Sequence, residues 1–275
     1  MLTVNKPLNS FNGVAFNSKA SMSLPVGPTY NEIQLVTSLT AAQIRQVSVV
    51  LNGDTIIQVS GDDLVMMEKY KGHYIQSAEF DESGALTQSG VFVIPFTNPT
   101  AKNQNGGMFG GLVTLAGENI TLEIEIGDGS GALTIDAVAF QTPAQARRIW
   151  LSRIRTHVMQ ASAEGWNDFT TFPAGSAINL RRVYFKGDVN RLKIERDNLI
   201  LFDAKSSVQQ VQQKRLGRFP QSGIYIFDPT MYGFEQSDVL NTGYQSEFVF
   251  RADVAVAKPI PILVESVQQV ASLTA

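Results

Sequence analysis

Two histidines, His73 and His157, come first among the residues that could do chemistry, because the chain has no others. A metal enzyme of the cupin type needs several histidines and a carboxylate that converge on one ion. A Ser-His-Asp triad would be accompanied by a G-x-S-x-G elbow or an oxyanion loop, and the sequence has neither. We therefore interpret both histidines as surface or packing residues and expect no catalytic residue.

Two carboxylates, Glu123 and Glu125, stand side by side in "ITLEIEI". Glycoside hydrolases use such a pair when the two groups are about 5–10 Å apart across a cleft. In this stretch apolar and polar residues alternate, which places both glutamates on the polar face of a strand. We expect solvated positions on an outer surface.

Two glycine-rich stretches could be mistaken for phosphate-binding loops. "GDGSG", from Gly127, is followed by the strand pattern "ALTIDAVAF" instead of the helix that a dinucleotide site requires, so it predicts a tight turn. "NQNGGMFGG", from Asn103, lacks the Walker A form. It predicts a flexible loop, either at an exposed tip or at a contact between assembled units.

Three aspartates, Asp62, Asp63 and Asp128, could each offer an oxygen to calcium. Calcium takes six to eight oxygen ligands, and no EF-hand spacing is present. No metal ligand can be assigned from the sequence, so metal-binding residues stay unknown.

One dense basic patch, Arg147 to Arg155, combines arginines with apolar residues. Its members are Arg147, Arg148, Arg153 and Arg155, interleaved with Ile149, Trp150 and Ile154. Such a patch could contact lipid head groups or nucleic acid. It could equally join two domains by stacking and ion pairs, and this second interpretation is favoured.

Composition excludes several classes of protein. The 275 residues include no cysteine, which rules out disulfides, thiol nucleophiles and Cys-ligated metal centres. The formal net charge of −3 disfavours a protein that coats nucleic acid through its phosphates. The first residues lack the apolar segment of a secretory signal, and no apolar run reaches the ~20 residues of a membrane span. We expect synthesis in the cytoplasm of a host cell.

Period-two alternation dominates the chain and predicts antiparallel strands with one buried and one polar face. Asn52-Gly53 predicts a hairpin turn. Short helices are predicted at "DDLVMMEKY" and "SSVQQVQQKRL", which begin with the N-cap residues Asp62 and Ser206. In "PAQARRIWLSRIRTHV", from Pro143, the helical and strand periods both fit.

The chain repeats itself. "SLPVGPTYNEIQLV", from Ser23, and "TFPAGSAINLRRVYF", from Thr171, both read as a strand end, a Pro-x-Gly turn and a new strand. Pro25 matches Pro173 at an offset of 148, and removing three residues from the second turn gives an offset of 145. This offset has the following pairs: Ile33 with Ile178, Leu35 with Leu180, Ile44 with Val189, Val47 with Leu192, Val49 with Ile194, Asn52 with Asp197, Gly72 with Gly217, and Tyr74 with Phe219.

A repeat of this length indicates a duplicated domain. Each half has about eight strands and one short helical insertion, which predicts two tandem eight-stranded jelly rolls in an all-β protein. We place the boundary near "QTPAQARR", which divides the chain into residues 1–142 and 143–275.

The run "SLPVGPTYNEIQLVTSLTAAQIRQVSVVLNGDTI" resembles the N-terminal domain of corticovirus major capsid proteins. "RRIWLSRIR", leading to "FPAGSAINLRRVYFKG", resembles the second half of the same family. The likeness covers both halves in order, is clearest up to Tyr74, and is carried by turn and strand residues.

The resemblance implies a double jelly-roll coat protein of tailless double-stranded DNA phages. Three subunits would form a pseudo-hexagonal capsomer, and capsomers would tile an icosahedral shell over an internal membrane. The implied partners are further copies of the chain, vertex (penton) proteins and membrane-associated viral proteins, with no sequence-specific nucleic acid. Calcium is associated with such coats as a structural ion, but no ligand position matches here, and no cofactor is required.

Two alternatives stay open at this point. A carbohydrate-binding or glycan-acting double jelly roll would need a cleft with exposed aromatic residues and paired acids, and the chain has two tryptophans, Trp150 and Trp166, both near the domain junction. A spike or minor vertex protein would more often have one barrel and an elongated tail. The absence of a catalytic motif, the duplication and the low charge together favour a non-enzymatic coat protein.

Overall fold

The computed structural model describes residues 3–272, and strands dominate it. The strands of the first half are β1 (Val4–Pro7), β2 (Lys19–Ser23), β3 (Thr29–Thr37), β4 (Ile44–Leu51), β5 (Asp54–Val59), β6 (Glu79–Phe80), β7 (Leu86–Gln88), β8 (Gly90–Pro95), β9 (Leu112–Val113), β10 (Ile120–Ile126) and β11 (Ile135–Thr142). Those of the second half are β12 (Trp150–Gln160), β13 (Gly165–Phe169), β14 (Ile178–Phe185), β15 (Val189–Arg196), β16 (Leu199–Lys205), β17 (Tyr225–Phe227), β18 (Leu240–Asn241), β19 (Phe248–Val254) and β20 (Pro259–Gln269).

Helices are short. They are α1 (Gly61–Lys71), α2 (Gln104–Met108) and α3 (Ser206–Arg215), with 3-10 turns at Ala41–Gln43 and Pro229–Tyr232. Within residues 3–272, no helix has the length and apolar character needed to cross a bilayer.

The first half is a jelly roll. One sheet has the strand order β1-β11-β3-β8, and the other has the order β2-β10-β4-β5. The neighbouring strands in both are antiparallel. Alternation decides which side chains enter the space between the sheets: Ile120, Leu122 and Ile124 are buried, whereas Glu125 on the same strand is exposed.

The second half repeats the strand orders of these two sheets. Its sheets have the orders β12-β20-β14-β17 and β13-β19-β15-β16. A cluster of phenylalanines fills the space between them, with Phe250 fully buried and stacked on Phe172 at 4.5 Å between ring centroids. The predicted all-β double jelly roll is confirmed.

The offset of 145 residues holds over the middle of the two halves. It relates the starts of β4 and β15, of β5 and β16, and of α1 and α3. It also relates the predicted hairpin turns, since Asn52 and Asp197 both have a φ of 50°. Gly72 and Gly217, which follow the two helices, have φ values of 76° and 74°. The duplication is therefore visible in backbone conformation as well as in strand order.

The position of the three-residue gap was predicted wrongly. Strands β3 and β14 end at Thr37 and Phe185, which are 148 positions apart, and the offset falls to 145 only at β4 and β15. The loop after β3 contains the extra 3-10 turn Ala41–Gln43. The predicted matches of Ile33 with Ile178 and Leu35 with Leu180 are consequently wrong, because Leu35 corresponds to Val183.

Two local predictions need correction or completion. The arginine-rich segment from Pro143 is a strand only from Trp150 onward, where it forms β12 and pairs with β20 along eleven residues. Both helices were predicted at the right places, but their caps differ from the prediction. Helix α1 begins after Ser60, whose hydroxyl accepts a hydrogen bond from the Asp63 N–H (3.1 Å), and α3 follows Lys205 with no side-chain cap bond.

The two matched glycines allow a test of the duplicated backbone. We expect Gly217→Ala to lower the free energy of unfolding by about 1–2 kcal/mol, because a residue with a Cβ must adopt a left-handed conformation there. Gly72→Ala should cost more, since its Cβ would also lie 2.6 Å from the ring of Phe219. Gly175→Ala, which has no positive φ and open space around its Cβ, is the control. Urea unfolding checks all three, and equal stability of the three variants would contradict the prediction.

Candidate functional site at the junction between the two barrels

The two barrels are joined by a continuous sheet. Strand β12 of the second barrel lies parallel to β5 of the first, with Ile154 paired to Ile57. This contact links four strands of each barrel into one sheet, with β18 attached to β14. Tyr184, Ile226 and Leu263 of the second half pack into the hydrophobic core of the first half. The barrels therefore share packed surface.

Arginines of the predicted basic patch bridge this junction. Arg153 and Arg155 on β12 contact the carboxylate of Asp54 at 2.5 and 2.8 Å, at the β4–β5 hairpin of the first barrel. The Arg153 Nε also donates to the Gln268 Oε1 at 2.6 Å.

The other two arginines lie at the start of the second half. Arg148 contacts Glu118 at 2.6 Å and donates to the Val113 carbonyl at 2.7 Å, while Arg147 donates to the Ser272 carbonyl at 2.9 Å. Three of the four arginines thus engage the first barrel, as the interpretation of the patch as a lock between domains requires.

A buried arginine pair, which the sequence analysis did not single out, lies at the centre of the junction. Arg181 and Arg182 follow each other on β14, where a β-bulge interrupts the pairing with β20. The bulge breaks the alternation, so that both side chains leave the barrel interior toward the first domain. Their side chains are 5% and 1% exposed, which is rare for arginine unless carboxylates accompany it.

Arg182 is surrounded by three carboxylates. Its guanidinium contacts Asp228 at 3.4 Å and Glu265 at 3.2 Å, and it also binds Glu235. Burial alone would lower the pKa of Arg182, but the three negative charges more than offset this and raise the pKa well above its usual value. Arg181 and Arg218 also contact members of this group, at 3.3 Å from Glu235 and 3.9 Å from Asp228. Three positive charges therefore balance three negative ones.

Residues of the first barrel complete this network. The Tyr70 hydroxyl on α1 donates to Asp228 at 3.0 Å, and Tyr70 packs edge-on against Tyr184 with the ring centroids 5.9 Å apart. The Asn98 side-chain amide donates to the Glu235 Oε1 at 2.6 Å. The network consequently fixes the orientation of one barrel against the other, because neither barrel alone satisfies its buried polar groups.

The segment from Asn103 includes helix α2 where a loop was predicted, and it divides into an exposed part, residues 103–105, and a second part that enters the junction. Asn103 caps the short helix α2 through a hydrogen bond to the Gly106 N–H at 2.7 Å. The next residues approach Arg181, which donates to the carbonyls of Phe96 (2.9 Å) and Phe109. A Cβ on Gly110 would lie 2.4 Å from the Ser152 Oγ. The glycines here permit close packing.

A second cluster of buried charges surrounds the end of α1. Glu68 contacts Lys71 at 2.7 Å and the His73 Nδ1 at 2.6 Å. Burial raises the pKa of Glu68, but Lys71 and His73 more than compensate and bring it to about 2. His73 is thus held against Glu68 at the end of α1.

His157, the other histidine, lies half-buried near Phe172, with 6.4 Å between the ring centroids. Its pKa is lowered, first by burial and then by Arg155.

The remaining acidic candidates do not converge on one site. Glu123 pairs with Lys19 at 2.5 Å, and Glu125 is exposed on the same outer face of β10. Asp63 is held by Lys186 at 2.7 Å and Asp128 by Arg45 at 3.3 Å, while Asp62 is exposed.

These acidic residues do not fit a calcium site. In residues 3–272, no three histidine, aspartate or glutamate side chains come together in a way that could hold a metal ion. We therefore derive no role for calcium from these residues.

The tryptophans do not form a sugar-binding cleft. Trp150 packs edge-on against Phe109 at 5.2 Å, inside the junction. Trp166 is half exposed on β13, with the guanidinium of Arg191 5.8 Å from its ring. The two rings lie at separate places, and neither is next to the Glu123–Glu125 pair.

Family comparison gives two matches that together span both halves. The family model described as the viral coat protein P2 N-terminal domain matches residues 5–143, and the viral coat protein P2 C-terminal domain matches residues 151–270. A comparison with curated proteins finds no match.

Solved structures share the fold. The major capsid protein P2 of bacteriophage PM2 superposes with a TM-score of 0.86 at 19% identity over 100% of both chains. The STIV major capsid protein gives 0.72 at 10% identity over 98% of both chains. The PBCV-1 virus capsid protein gives 0.63 at 10% identity over 96% of this chain and 92% of its own. These findings do not support the carbohydrate-directed alternative.

Proposed function

Because the chain belongs to the viral coat protein P2 family, and is thus a structural protein of a virion shell, we propose that three copies of it form a six-sided capsomer. The observation that supports this most directly is that two barrels with the same strand orders are held side by side by the buried junction. Three such chains present six similar wedges around an axis. Threefold symmetry is closed, so the assembly stops at the trimer until capsomers meet edge to edge.

The junction suits this mechanical role. Each buried ion of the network has its partners within the protein, and the group that would be a catalytic acid or base elsewhere, Glu235, is held ionised by two arginines. A network of this kind fixes geometry and leaves no reactive group facing a substrate. We therefore propose that the chain has no enzymatic activity.

Further partners follow from the shape of the shell. Six-sided units cannot occupy the fivefold vertices of an icosahedron, so we propose that a separate vertex (penton) protein does so. From the family resemblance of the sequence we also propose that the chain contacts membrane-associated viral proteins and an internal membrane. We further propose that it is synthesised in a host cytoplasm.

The mass of the purified protein in solution tests the proposal. We expect light scattering to give three times 30.0 kDa, and negative-stain images to show a six-sided outline. As a control, the protein is mildly denatured and refolded at pH 7, and its mass in solution is measured again to see whether the trimer forms reversibly. A monomer that binds or hydrolyses oligosaccharide would overturn the proposal in favour of the glycan-directed alternative.

A further inference from the structure

The junction inside one chain leaves two corresponding strand edges unused. Internally, the edge of β5 in the first barrel lies beside β12 of the second. By the repeat, β5 corresponds to β16, and β12 corresponds to β1. Within the described residues, β16 and β1 each end a sheet. Unpaired edge strands are sites where another chain can add.

Positions of α1 and α3 that correspond through the repeat differ strongly in the exposed fraction of their side chains. On α1, Asp63 and Met66 are 4% and 6% exposed, and Asp63 reaches Lys186 of the second barrel. The corresponding residues on α3 are Val208 and Val211, which are 61% and 59% exposed. The second copy thus places apolar side chains in solvent at the positions that the first copy covers with a neighbouring barrel.

The edge strand shows the same difference. Ile56 and Ile57 on β5 are fully buried, whereas the matching residues of β16 are partly exposed. Leu199 and Ile200, which begin β16, are 60% and 53% exposed. An apolar edge that stays uncovered in one chain is the pattern expected of a subunit interface.

A complementary face exists on the first barrel. In the second barrel, Tyr184 and Glu265 lie on the outer side of the sheet that faces the first barrel, and both are buried. Strand pairing makes Val36 and Val138 their counterparts in the first barrel. These valines are half-buried, as are others on the same outer face, namely Val91, Val93 and Phe140. The outer valine face also includes Glu32, Gln34 and Asp136, which pair with Phe140, Val138 and Val36. Gln34, a neutral residue, stands at the position that Arg182 has in the second barrel.

We infer that the second barrel of one copy binds the first barrel of a second copy in the arrangement of the internal junction, with β16 beside β1 and α3 against the outer valine face. This inference rests on the proposed trimeric capsomer and names its contact surfaces. The occupant is another copy of this chain, because both halves of the contact are present on it and cannot meet within one molecule while the internal junction holds them apart.

The chemistry of the two junctions differs. Inside the chain a buried ion network holds the barrels, whereas the contact between chains is mainly apolar, with Glu32 and Asp136 on the outer valine face and Arg215 on α3 beside the apolar side chains. Apolar burial contributes roughly 25 cal/mol per Å². Subunits can consequently be made and folded singly and then associate.

Cysteine crosslinking tests the contact, since the natural chain contains no cysteine. Lys6 and Leu199 correspond to Arg153 and Asp54, whose side chains meet at 2.5 Å in the internal junction. Both are exposed, so Lys6→Cys and Leu199→Cys should fold normally. Co-expressed, the two variants should give a covalent dimer with a short bis-maleimide, and neither should do so alone. Lys6→Cys co-expressed with Glu125→Cys, which lies on another face, is the control.

A charge placed on α3 gives a second readout. We expect Val211→Glu to reduce the mass in solution to that of one chain, because the carboxylate would be buried against the outer valine face. Lys214→Glu on the same helix is the matched control, since its counterpart Lys69 stays exposed beside the internal junction.

The outcomes separate this inference from the proposed function. A trimeric natural protein with crosslinking of positions 6 and 199 and a monomeric Val211→Glu variant supports both. A trimer that neither crosslinks there nor responds to Val211→Glu overturns the assigned surfaces and leaves the capsomer intact. A natural protein that stays a monomer overturns both.

Discussion

Arg182→Met will lower the free energy of unfolding by about 3–5 kcal/mol, which is the cost of removing one partner from a buried ion cluster. The substitution keeps the volume of the side chain but leaves Asp228, Glu235 and Glu265 with less positive charge at less than 5% exposure. Chemical denaturation at pH 7, followed by circular dichroism and by tryptophan fluorescence, measures the loss. Trp150 reports on the junction itself, because its ring packs against Phe109 there, whereas Trp166 is half exposed on β13.

The control for this experiment is Arg191→Met. Arg191 makes a bidentate pair with Asp203 at 2.6 and 2.7 Å, but on an exposed surface. Exposed pairs contribute about 0–1 kcal/mol, so this variant should stay near the natural stability. If Arg182→Met were no more destabilising than Arg191→Met, the cluster could not be what holds the barrels in place.

Acidification will destabilise the protein steeply below pH 4.5. Burial raises the pKa of Glu235, but Arg182 and Arg181 outweigh it, so that the pKa is about 2, as it is for Glu68. Both pKa values lie below the value of 4.5 for an unperturbed glutamate, so their stabilisation is complete above pH 4.5 and is lost as the pH falls toward 2. Each group contributes about 3 kcal/mol at neutral pH by linkage. Glu32, whose pKa is raised by burial, opposes this with a smaller effect.

Urea midpoints between pH 7 and pH 2.5 measure this dependence. Glu68→Gln removes one of the two carboxylates with the largest lowering of pKa and should make the slope below pH 4.5 shallower, even though it starts from a lower stability. A flat profile between pH 5 and pH 3 would show that neither carboxylate has a depressed pKa.

Strands, hairpins and the repeat could be predicted because their signals are local. The alternation around Ile120–Ile126 and the turn at Asn52-Gly53 depend on neighbours in sequence. Because the repeat presents the same pattern of strands, hairpin and helix twice, the fold class could be predicted from two copies of it. The gap was misplaced because Val, Ile and Leu match at either offset, whereas the 3-10 turn that accounts for it, Ala41–Gln43, has no strong sequence signal.

The junction could not be predicted in the same way. Its charged residues, Arg182, Asp228, Glu235 and Glu265, are scattered over the second half, and no spacing rule brings them together. A signal was nevertheless present: two adjacent arginines inside an otherwise apolar strand, "NLRRVYF", break the alternation. In the Asn103 segment, the glycines suggested a flexible backbone. The structure gives Gly110 a different reason, because a Cβ there would clash with the Ser152 side chain.

The covalent link between the barrels has a kinetic consequence for ring closure. Residues 143–149 connect β11 to β12 and hold the two barrels at a high effective concentration. In the proposed ring of three chains, half of the six seams would therefore form during the folding of single molecules, independently of dilution. Association from solution would supply the other three seams, so the assembly equilibrium would depend on the third power of the chain concentration, whereas six separate barrels would require the sixth power.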